Sequence, residues 1–218
     1  MNRLIAIGDI HGQNAILEKI LVAINPQPED VFVFLGDYID RGPDSKGVIE
    51  TISDLQKKCQ VHLILGNHEE MTLAALAGGK SDHIYWCHFG GQQMLESYQV
   101  DHVNKLPSDY WRFIAKCVDF VETENHIFVH AGCLPSIPIE KNTASTFRWD
   151  RFPENPQQHV SGKKVVCGHS AREDIFDLGF ICCIDTGCGV LPKGKLTALD
   201  VNSGQYWQAN SKKVKTKK

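Results

Sequence analysis

Three short apolar runs near the start of the chain each lead into a glycine and a polar residue. Residues 4–7, 31–35 and 61–65 have the length and apolar character of buried strands. Between them, segments 14–24 and 48–55 repeat apolar residues at the three- and four-residue spacing of an amphipathic helix. This alternation predicts a βαβαβ unit with three parallel strands.

The rest of the chain predicts more helix and then a second set of strands. Residues 69–77 predict a helix, and the aromatic-rich segment 81–116 predicts an irregular helical cap beside the sheet edge. Shorter apolar segments predict strands at 118–122, 126–130, 164–167, 180–184, 196–201 and 205–208. We therefore predict an α/β protein in which mixed sheets form a sandwich flanked by helices.

Length and composition favour one globular domain. A chain of 218 residues supports one sizeable core, so we predict a single domain over 1–209 and a basic, disordered tail over 210–218. The net charge of −3 gives no reason to expect a nucleic-acid or membrane partner, and it predicts no particular oligomeric state. Without a secretion signal or a long apolar run, we expect a cytoplasmic protein whose eight cysteines are free.

Polar side chains follow the predicted strands. The first three strands lead to Gly-Asp-Ile-His-Gly at 8–12, Gly-Asp-Tyr-Ile-Asp-Arg-Gly at 36–42 and Gly-Asn-His-Glu at 66–69, and two later strands lead to histidines. Because the carboxyl ends of parallel strands meet at one edge of a sheet, we expect these groups to lie together. One such residue alone is usually a turn or capping residue, but six in equivalent places predict a metal site. The six are Asp9, His11, Asp37, Asn67, His130 and His169.

The three motifs resemble the signature of the metal-dependent phosphoprotein phosphatases, which belong to the calcineurin-like metallophosphoesterase superfamily. His-Ala-Gly-Cys-Leu-Pro at 130–135 and Ile-Asp-Thr-Gly at 184–187 resemble the bacterial and phage-type serine/threonine phosphatases. The resemblance runs from residue 3 to about 201 and implies the metallophosphoesterase fold with two divalent ions, for which we expect manganese, with iron or zinc as alternatives. It implies one ion held by Asp9, His11 and Asp37, and a second held by Asp37, Asn67, His130 and His169.

The resemblance also implies how a phosphate ester is hydrolysed. A hydroxide that bridges the metal ions attacks the phosphorus of a phosphoserine or phosphothreonine in a protein or peptide substrate. Arg41 and Asn67 contact the phosphate, and His68 protonates the leaving oxygen. Asp40 accepts a hydrogen bond from His68 and orients its ring.

A second phosphate-binding arginine is predicted in the segment 147–151. The pattern Trp-x-Arg favours Arg151 over Arg148, and a surface ion pair is the alternative for either residue. Many family members carry arginine immediately before Gly-Asn-His-Glu, where this chain has Leu65. We therefore expect phosphate binding that is weaker or built differently.

Three other functions stay open. Phosphotyrosine hydrolysis occurs in the bacterial branch of the family. A dinucleoside tetraphosphate hydrolase would share the metal site, although Asp40 and Glu69 favour the phosphatase, because similar dinucleotide enzymes commonly differ at both positions. A non-catalytic scaffold with the same fold is disfavoured because all six ligands, Arg41 and His68 are present.

Overall fold

The computed structural model describes residues 2–217, which fold into eleven strands and seven α-helices. The strands are β1 (Leu4–Ile7), β2 (Val31–Phe34), β3 (Gln60–Leu63), β4 (Phe120–Glu122), β5 (His126–Val129), β6 (Lys164–Cys167), β7 (Phe176–Asp177), β8 (Ile181–Cys183), β9 (Leu196–Asp200), β10 (Tyr206–Ala209) and β11 (Val214–Lys217). The helices are α1 (Asn14–Ile24), α2 (Ser45–Leu55), α3 (Asn67–Ala77), α4 (Lys80–Trp86), α5 (Gln92–Tyr98), α6 (Ser108–Ile114) and α7 (Ala144–Trp149).

The strands form two mixed sheets. The six-stranded sheet has the order β11-β10-β9-β1-β2-β3, and the five-stranded sheet has the order β4-β5-β6-β8-β7. Strands β1, β2 and β3 are parallel and are connected by α1 and α2, while β9 pairs antiparallel with β1. The predicted βαβαβ unit and α/β sandwich are therefore confirmed.

Three apolar layers hold the sandwich together. The inner layer lies between the sheets and includes Ala6 and Val166. Helices α1, α2 and those of the helical cap pack on the outer face of the larger sheet, and Phe147 of α7 packs on the outer face of the smaller one. Because side chains alternate along a strand, the adjacent Cys182 and Cys183 belong to the inner and the outer layer, respectively.

All eight cysteines are free, as predicted, and five of them are buried. The helical cap is also present as predicted, with a kink at Gly90 between α4 and α5. Across residues 2–217, no helix combines the length and the apolar character needed to cross a membrane.

The C-terminal segment differs from its prediction. Val214–Lys217 pairs antiparallel with β10, so the prediction of a disordered tail is wrong for this segment. Pairing satisfies the outer edge of β10, and Val214 packs on the outer apolar layer while the lysines stay exposed. Met1 and Lys218, the ends of the predicted domain and tail, lie outside the described residues.

A bidentate ion pair joins the start of β1 to the loop before β2. Nε and Nη2 of Arg3 donate to the two carboxylate oxygens of Asp30 at 2.9 and 2.5 Å, and Nη1 donates to the carbonyl of Ile24. The main-chain N–H of Gln27 also donates to Asp30. Burial raises the pKa of Asp30, but these hydrogen bonds outweigh it and hold the pKa below its ordinary value.

We expect Asp30→Asn to lower the melting temperature by roughly 3–8 °C near neutral pH, because Arg3 loses its charged partner. The carboxylate stabilises the fold only while it is ionised. The difference between the two proteins should therefore be complete above about pH 5 and should shrink as the pH falls through the lowered pKa of Asp30. Thermal unfolding of both proteins across this range measures the effect, and a constant difference would contradict it.

Candidate active site

The six predicted ligands lie together on loops at the carboxyl ends of five strands. They are Asp9 and His11 after β1, Asp37 after β2, Asn67 after β3, His130 after β5 and His169 after β6. Five of them are buried, and His169 is half-buried. The fold thus assembles residues that lie up to 160 positions apart in the chain.

The backbone of these loops is strained. Seven non-glycine residues within 2–217 have a positive φ, and five of them belong to the predicted site. Those five are His11, Asp37, Asp40, Arg41 and His169, with φ between 48° and 70°. Each such conformation costs on the order of 1–3 kcal/mol and persists only where surrounding contacts impose it.

A buried carboxylate holds the loops after β2 and β3 together. Glu69 accepts hydrogen bonds from the main-chain N–H groups of Asp37, Tyr38 and Gly66 at 2.9, 2.9 and 3.0 Å. Only glycine fits at position 66, because a Cβ there would lie 2.2 Å from a carboxylate oxygen of Asp37. Burial, with the charge of Asp37 nearby, raises the pKa of Glu69 to about 8. A cation beside Asp37 would offset the charge of Asp37 and so make the ionised form of Glu69 less unfavourable.

Asp37 turns one oxygen toward each of two groups of side chains. Its Oδ2 lies 3.6 Å from Nε2 of His11, and its Oδ1 lies 3.4 Å from Nε2 of His130. One compact group consists of His11, Asp37 and His68, and the other of Asp37, His130 and His169. Within each group the candidate ligand atoms lie within 4.8 Å of one another. A carboxylate in this position can bridge two cations.

The hydrogen bonds of the histidines favour bound cations. Nδ1 of His11 donates to the carbonyl of Ile39 at 3.2 Å, and Nδ1 of His130 donates to the carbonyl of Leu35 at 2.8 Å. Burial lowers the pKa of both rings and favours their neutral form. Nε2 of His130 therefore presents a lone pair to Oδ1 of Asn67, 2.9 Å away. Two acceptors that face each other fit a shared cation, and ligand histidines commonly donate their other N–H in this way.

Asp9 and His169 occupy the side of the site formed by the second sheet. Nδ1 of His169 lies 3.0 Å from the same Asn67 oxygen, and burial lowers the pKa of His169 to about 4. Asp9 belongs to neither compact group, and its carboxylate accepts hydrogen bonds from the main-chain N–H of His169 at 3.1 and 3.2 Å. Burial, together with the carboxylates of Asp185 and Asp37, raises the pKa of Asp9. A nearby cation would offset the repulsion among these three carboxylates.

His68 and Asp40 form a buried pair beside the first group. Nδ1 of His68 lies 2.7 Å from Oδ2 of Asp40, whose two oxygens also accept the indole N–H of Trp86 at 3.0 and 3.2 Å. Burial lowers the pKa of His68, but the carboxylates of Asp37 and Asp40 outweigh it and raise the pKa above its ordinary value. Trp86 belongs to the aromatic-rich segment 81–116, which was predicted as a helical cap, and its contact with Asp40 was not predicted.

Arg41 reaches the first group from the neighbouring loop. Its Nη1 donates to the lone pair on Nε2 of His11 at 2.7 Å. The first predicted metal ion would use the same lone pair. The main-chain N–H of Arg41 donates to the carbonyl of Gly90 at 3.1 Å. Gly90 has a φ of 116°, and a Cβ there would lie 2.5 Å from the Arg41 nitrogen. The helical cap thus supports both Asp40 and Arg41.

A cavity of about 660 Å³ opens beside these residues. Five predicted site residues line its wall: Arg41, Asn67, His68, Arg151 and His169. A further arginine, Arg172, also lines it. Its aromatic residues are Tyr85, Phe89, Trp149 and Phe152. Arg148 instead forms ion pairs with Glu70 and Asp119. Leu65 is buried in the outer apolar layer.

A model of the calcineurin-like phosphoesterase family matches residues 2–207. The chain belongs to this family. Calcineurin-like phosphoesterases use divalent metal ions, and the two compact groups described above are candidate binding groups for them. Phosphoester hydrolysis is therefore supported for this protein.

Three relatives show the range of substrates within the family. The chain is 26% identical over 202 residues to serine/threonine-protein phosphatase 1 of Salmonella typhimurium, covering 83% of this chain and 84% of the relative. It is 31% identical over 169 residues to the serine/threonine-protein phosphatase PP2A-like PPG1 of Candida albicans, covering 73% of this chain but only 35% of that protein. It is 30% identical over 131 residues to a symmetrical bis(5'-nucleosyl)-tetraphosphatase of a Janthinobacterium strain, covering 60% of this chain and 43% of that protein.

A solved structure supports the same fold. The cold-active protein-tyrosine phosphatase of a Shewanella species has a TM-score of 0.74, with 17% identity, 99% of this chain covered and 80% of that chain covered. Likeness at this identity concerns the fold alone. The family match and the relatives confirm the resemblance to metallophosphoesterases of the phosphoprotein phosphatase type.

We expect Gly90→Ala to lower kcat/KM on p-nitrophenyl phosphate by about tenfold or more, because the added methyl group displaces Arg41. Gly79→Ala is the matched control in the same segment, since a Cβ at that position meets no other atom within 4 Å. Steady-state kinetics of the two variants measure the difference. Equal activities would show that contact with Gly90 does not position Arg41.

Proposed function

We propose that the protein is a metal-dependent phosphoprotein phosphatase that hydrolyses phosphoserine and phosphothreonine in protein or peptide substrates. The observation that carries the proposal is the buried pair of His68 and Asp40 beside the first ligand group. An alkoxide leaving group needs a proton, and we assign His68 as its donor. Similarity to the Salmonella phosphatase over most of both chains supports the same class. Eight free cysteines suit a reducing compartment, so we propose a cytoplasmic enzyme.

The donor set fits two divalent ions, and we propose manganese. Bound ions of this kind activate water and neutralise charge on the phosphoryl oxygens. Imidazole, carboxylate and amide ligands suit that chemistry. His11 and Asp37 of the first compact group would hold one ion together with Asp9, which the family resemblance assigns to that ion although it lies in neither compact group. Asp37, Asn67, His130 and His169 would hold the other.

The chain's own side chains would bind the phosphate and supply a proton. The guanidinium forks of Arg41 and Arg151 match two phosphate oxygens, and both line the cavity. Asp40 accepts Nδ1–H of His68, which leaves Nε2–H as the donor to the departing oxygen. The indole of Trp86 holds Asp40 in place, so the proton donor keeps its orientation.

A comparison of substrates tests this proposal. Manganese-loaded protein is assayed side by side on phosphoserine, phosphothreonine and phosphotyrosine peptides and on diadenosine tetraphosphate. The highest kcat/KM on phosphoserine or phosphothreonine supports the proposal. A higher value on diadenosine tetraphosphate would favour the activity named for the Janthinobacterium relative and overturn it. A higher value on phosphotyrosine would also overturn the serine/threonine assignment.

Asp37→Asn is expected to weaken binding at both metal sites, because Asp37 is the residue shared by the two compact groups. After reconstitution with manganese, elemental analysis should find about two ions per unmodified chain and fewer in the variant. Full activity of the unmodified protein with a single ion would refute the two-ion arrangement.

Arg41→Ala and Arg151→Ala should each raise KM and lower kcat on phosphopeptides, with a combined loss of at least about tenfold, because contacts with the phosphoryl group strengthen as charge develops on it. Arg148→Ala is the control, since its guanidinium is already paired with Glu70 and Asp119. We expect Arg148→Ala to reduce thermal stability more than activity. Greater kinetic damage at 148 than at 151 would reverse our assignment.

His68→Asn should retain both metal ions and lose roughly 10²–10⁴-fold in kcat on alkyl phosphates, the range typical of general acid catalysis. The loss should be smaller on p-nitrophenyl phosphate, whose leaving group needs little protonation. Kinetics on both substrates and metal analysis of the variant test this role. Equal losses on the two substrates, or loss of metal, would exclude His68 as the acid.

A further inference from the structure

Arg172 lies in the wall of the active-site cavity and was not among the predicted site residues. It follows His169 by three positions on the loop after β6. Its guanidinium carbon lies 4.8 Å from the ring centre of Phe152 and 4.6 Å from that of Phe176. Its main-chain N–H donates to the carbonyl of Asp185 at 3.1 Å. Both the backbone and the side chain of Arg172 are therefore held in place.

The charge of Arg172 has no partner within residues 2–217. No carboxylate there lies within ion-pair distance of its guanidinium, and its buried Nε has no hydrogen-bond acceptor. Asp174 on the same loop already pairs with Lys195 at 2.7 Å. Aromatic rings against the guanidinium face leave the terminal Nη groups available in the plane of the fork, where a carboxylate or phosphate binds best, whereas the buried Nε–H is not available to a ligand.

The same loop continues from the cavity into a second groove. Residues 169–172 line the cavity, whereas Glu173 and Asp174 line a groove of about 680 Å³. Five lysines share that groove: Lys193, Lys195, Lys213, Lys215 and Lys217. The groove therefore carries an excess of positive charge, although the whole chain has a net charge of −3. His169 in the cavity wall and Asp174 in the groove wall are five residues apart, so at most about 18 Å separates them. One extended substrate peptide is long enough to contact both the cavity and the groove.

We infer that Arg172 binds a carboxylate close to the phosphorylated residue of the substrate, and that the protein prefers phosphorylated segments rich in Asp and Glu. The inference rests on the proposed function and names the substrate class of the same site. A guanidinium fork also binds phosphate, but the lysines continue the positive surface well beyond the cavity. An extended acidic peptide can use that whole surface, whereas a short polyphosphate chain cannot.

Two phosphoserine peptides that differ only in glutamate or glutamine beside the phosphoserine test this inference. They are assayed with the manganese-loaded wild type, with Arg172→Gln and with Arg112→Gln. Arg112 is a matched control because it is exposed on α6, pairs only with Asp109 and lies outside the cavity. We expect the wild type to show about tenfold higher kcat/KM on the glutamate peptide, mainly through a lower KM. Arg172→Gln should bring this ratio close to one, and Arg112→Gln should leave it unchanged.

Arg172→Lys keeps the positive charge without the planar fork and guards against a folding defect in Arg172→Gln. We expect it to retain part of the preference for glutamate. Equal kcat/KM of the wild type on both peptides, or an unchanged ratio in Arg172→Gln, would overturn this inference while the proposed function stands. Hydrolysis of diadenosine tetraphosphate but of neither peptide would refute the proposed function and this inference together.

Discussion

The buried carboxylate of Glu69 is the interaction on which the candidate site depends. By accepting three main-chain N–H groups, it fixes the loop that carries Asp37 against the start of α3. Asp37 needs this support because its backbone is left-handed and its two oxygens face different groups of side chains. Glu69 supplies no ligand atom to either compact group, yet it holds in place the one residue that the two groups share.

A second constraint comes from the helical cap. Trp86 hydrogen-bonds Asp40, and Gly90 accepts the main-chain N–H of Arg41. Asp40 and Arg41 both have positive φ, and the cap contacts both of them. Its aromatic residues therefore form a small core and also hold the loop after β2 in a conformation that the loop alone would rarely adopt.

Local sequence patterns predicted most of the fold and the membership of the site. Strand ends, glycines and polar residues recur in order, so parallel topology explains why four of the six candidate ligands converge after β1, β2 and β3. The other two, His130 and His169, come from the second sheet. Contacts between distant segments were not predictable: Trp86 lies 46 positions from Asp40, and Phe152 lies 20 positions from Arg172. Strand β11 was missed because a run of lysines carries no apolar alternation. The pattern Trp-x-Arg favoured Arg151 over Arg148, but the ion pairs of Arg148 with residues 29 and 78 positions away could not be predicted from it.

The apolar layer between the two sheets separates the candidate ligands of one sheet from those of the other. Asp9, His11, Asp37 and Asn67 follow strands of one sheet, whereas His130 and His169 follow strands of the other. Small inner residues such as Ala6 therefore set the distance between two halves of a coordination sphere. We expect a larger side chain in this layer to separate the sheets slightly and to lower metal affinity. Sequence changes far from any ligand can in this way tune which cation the protein retains.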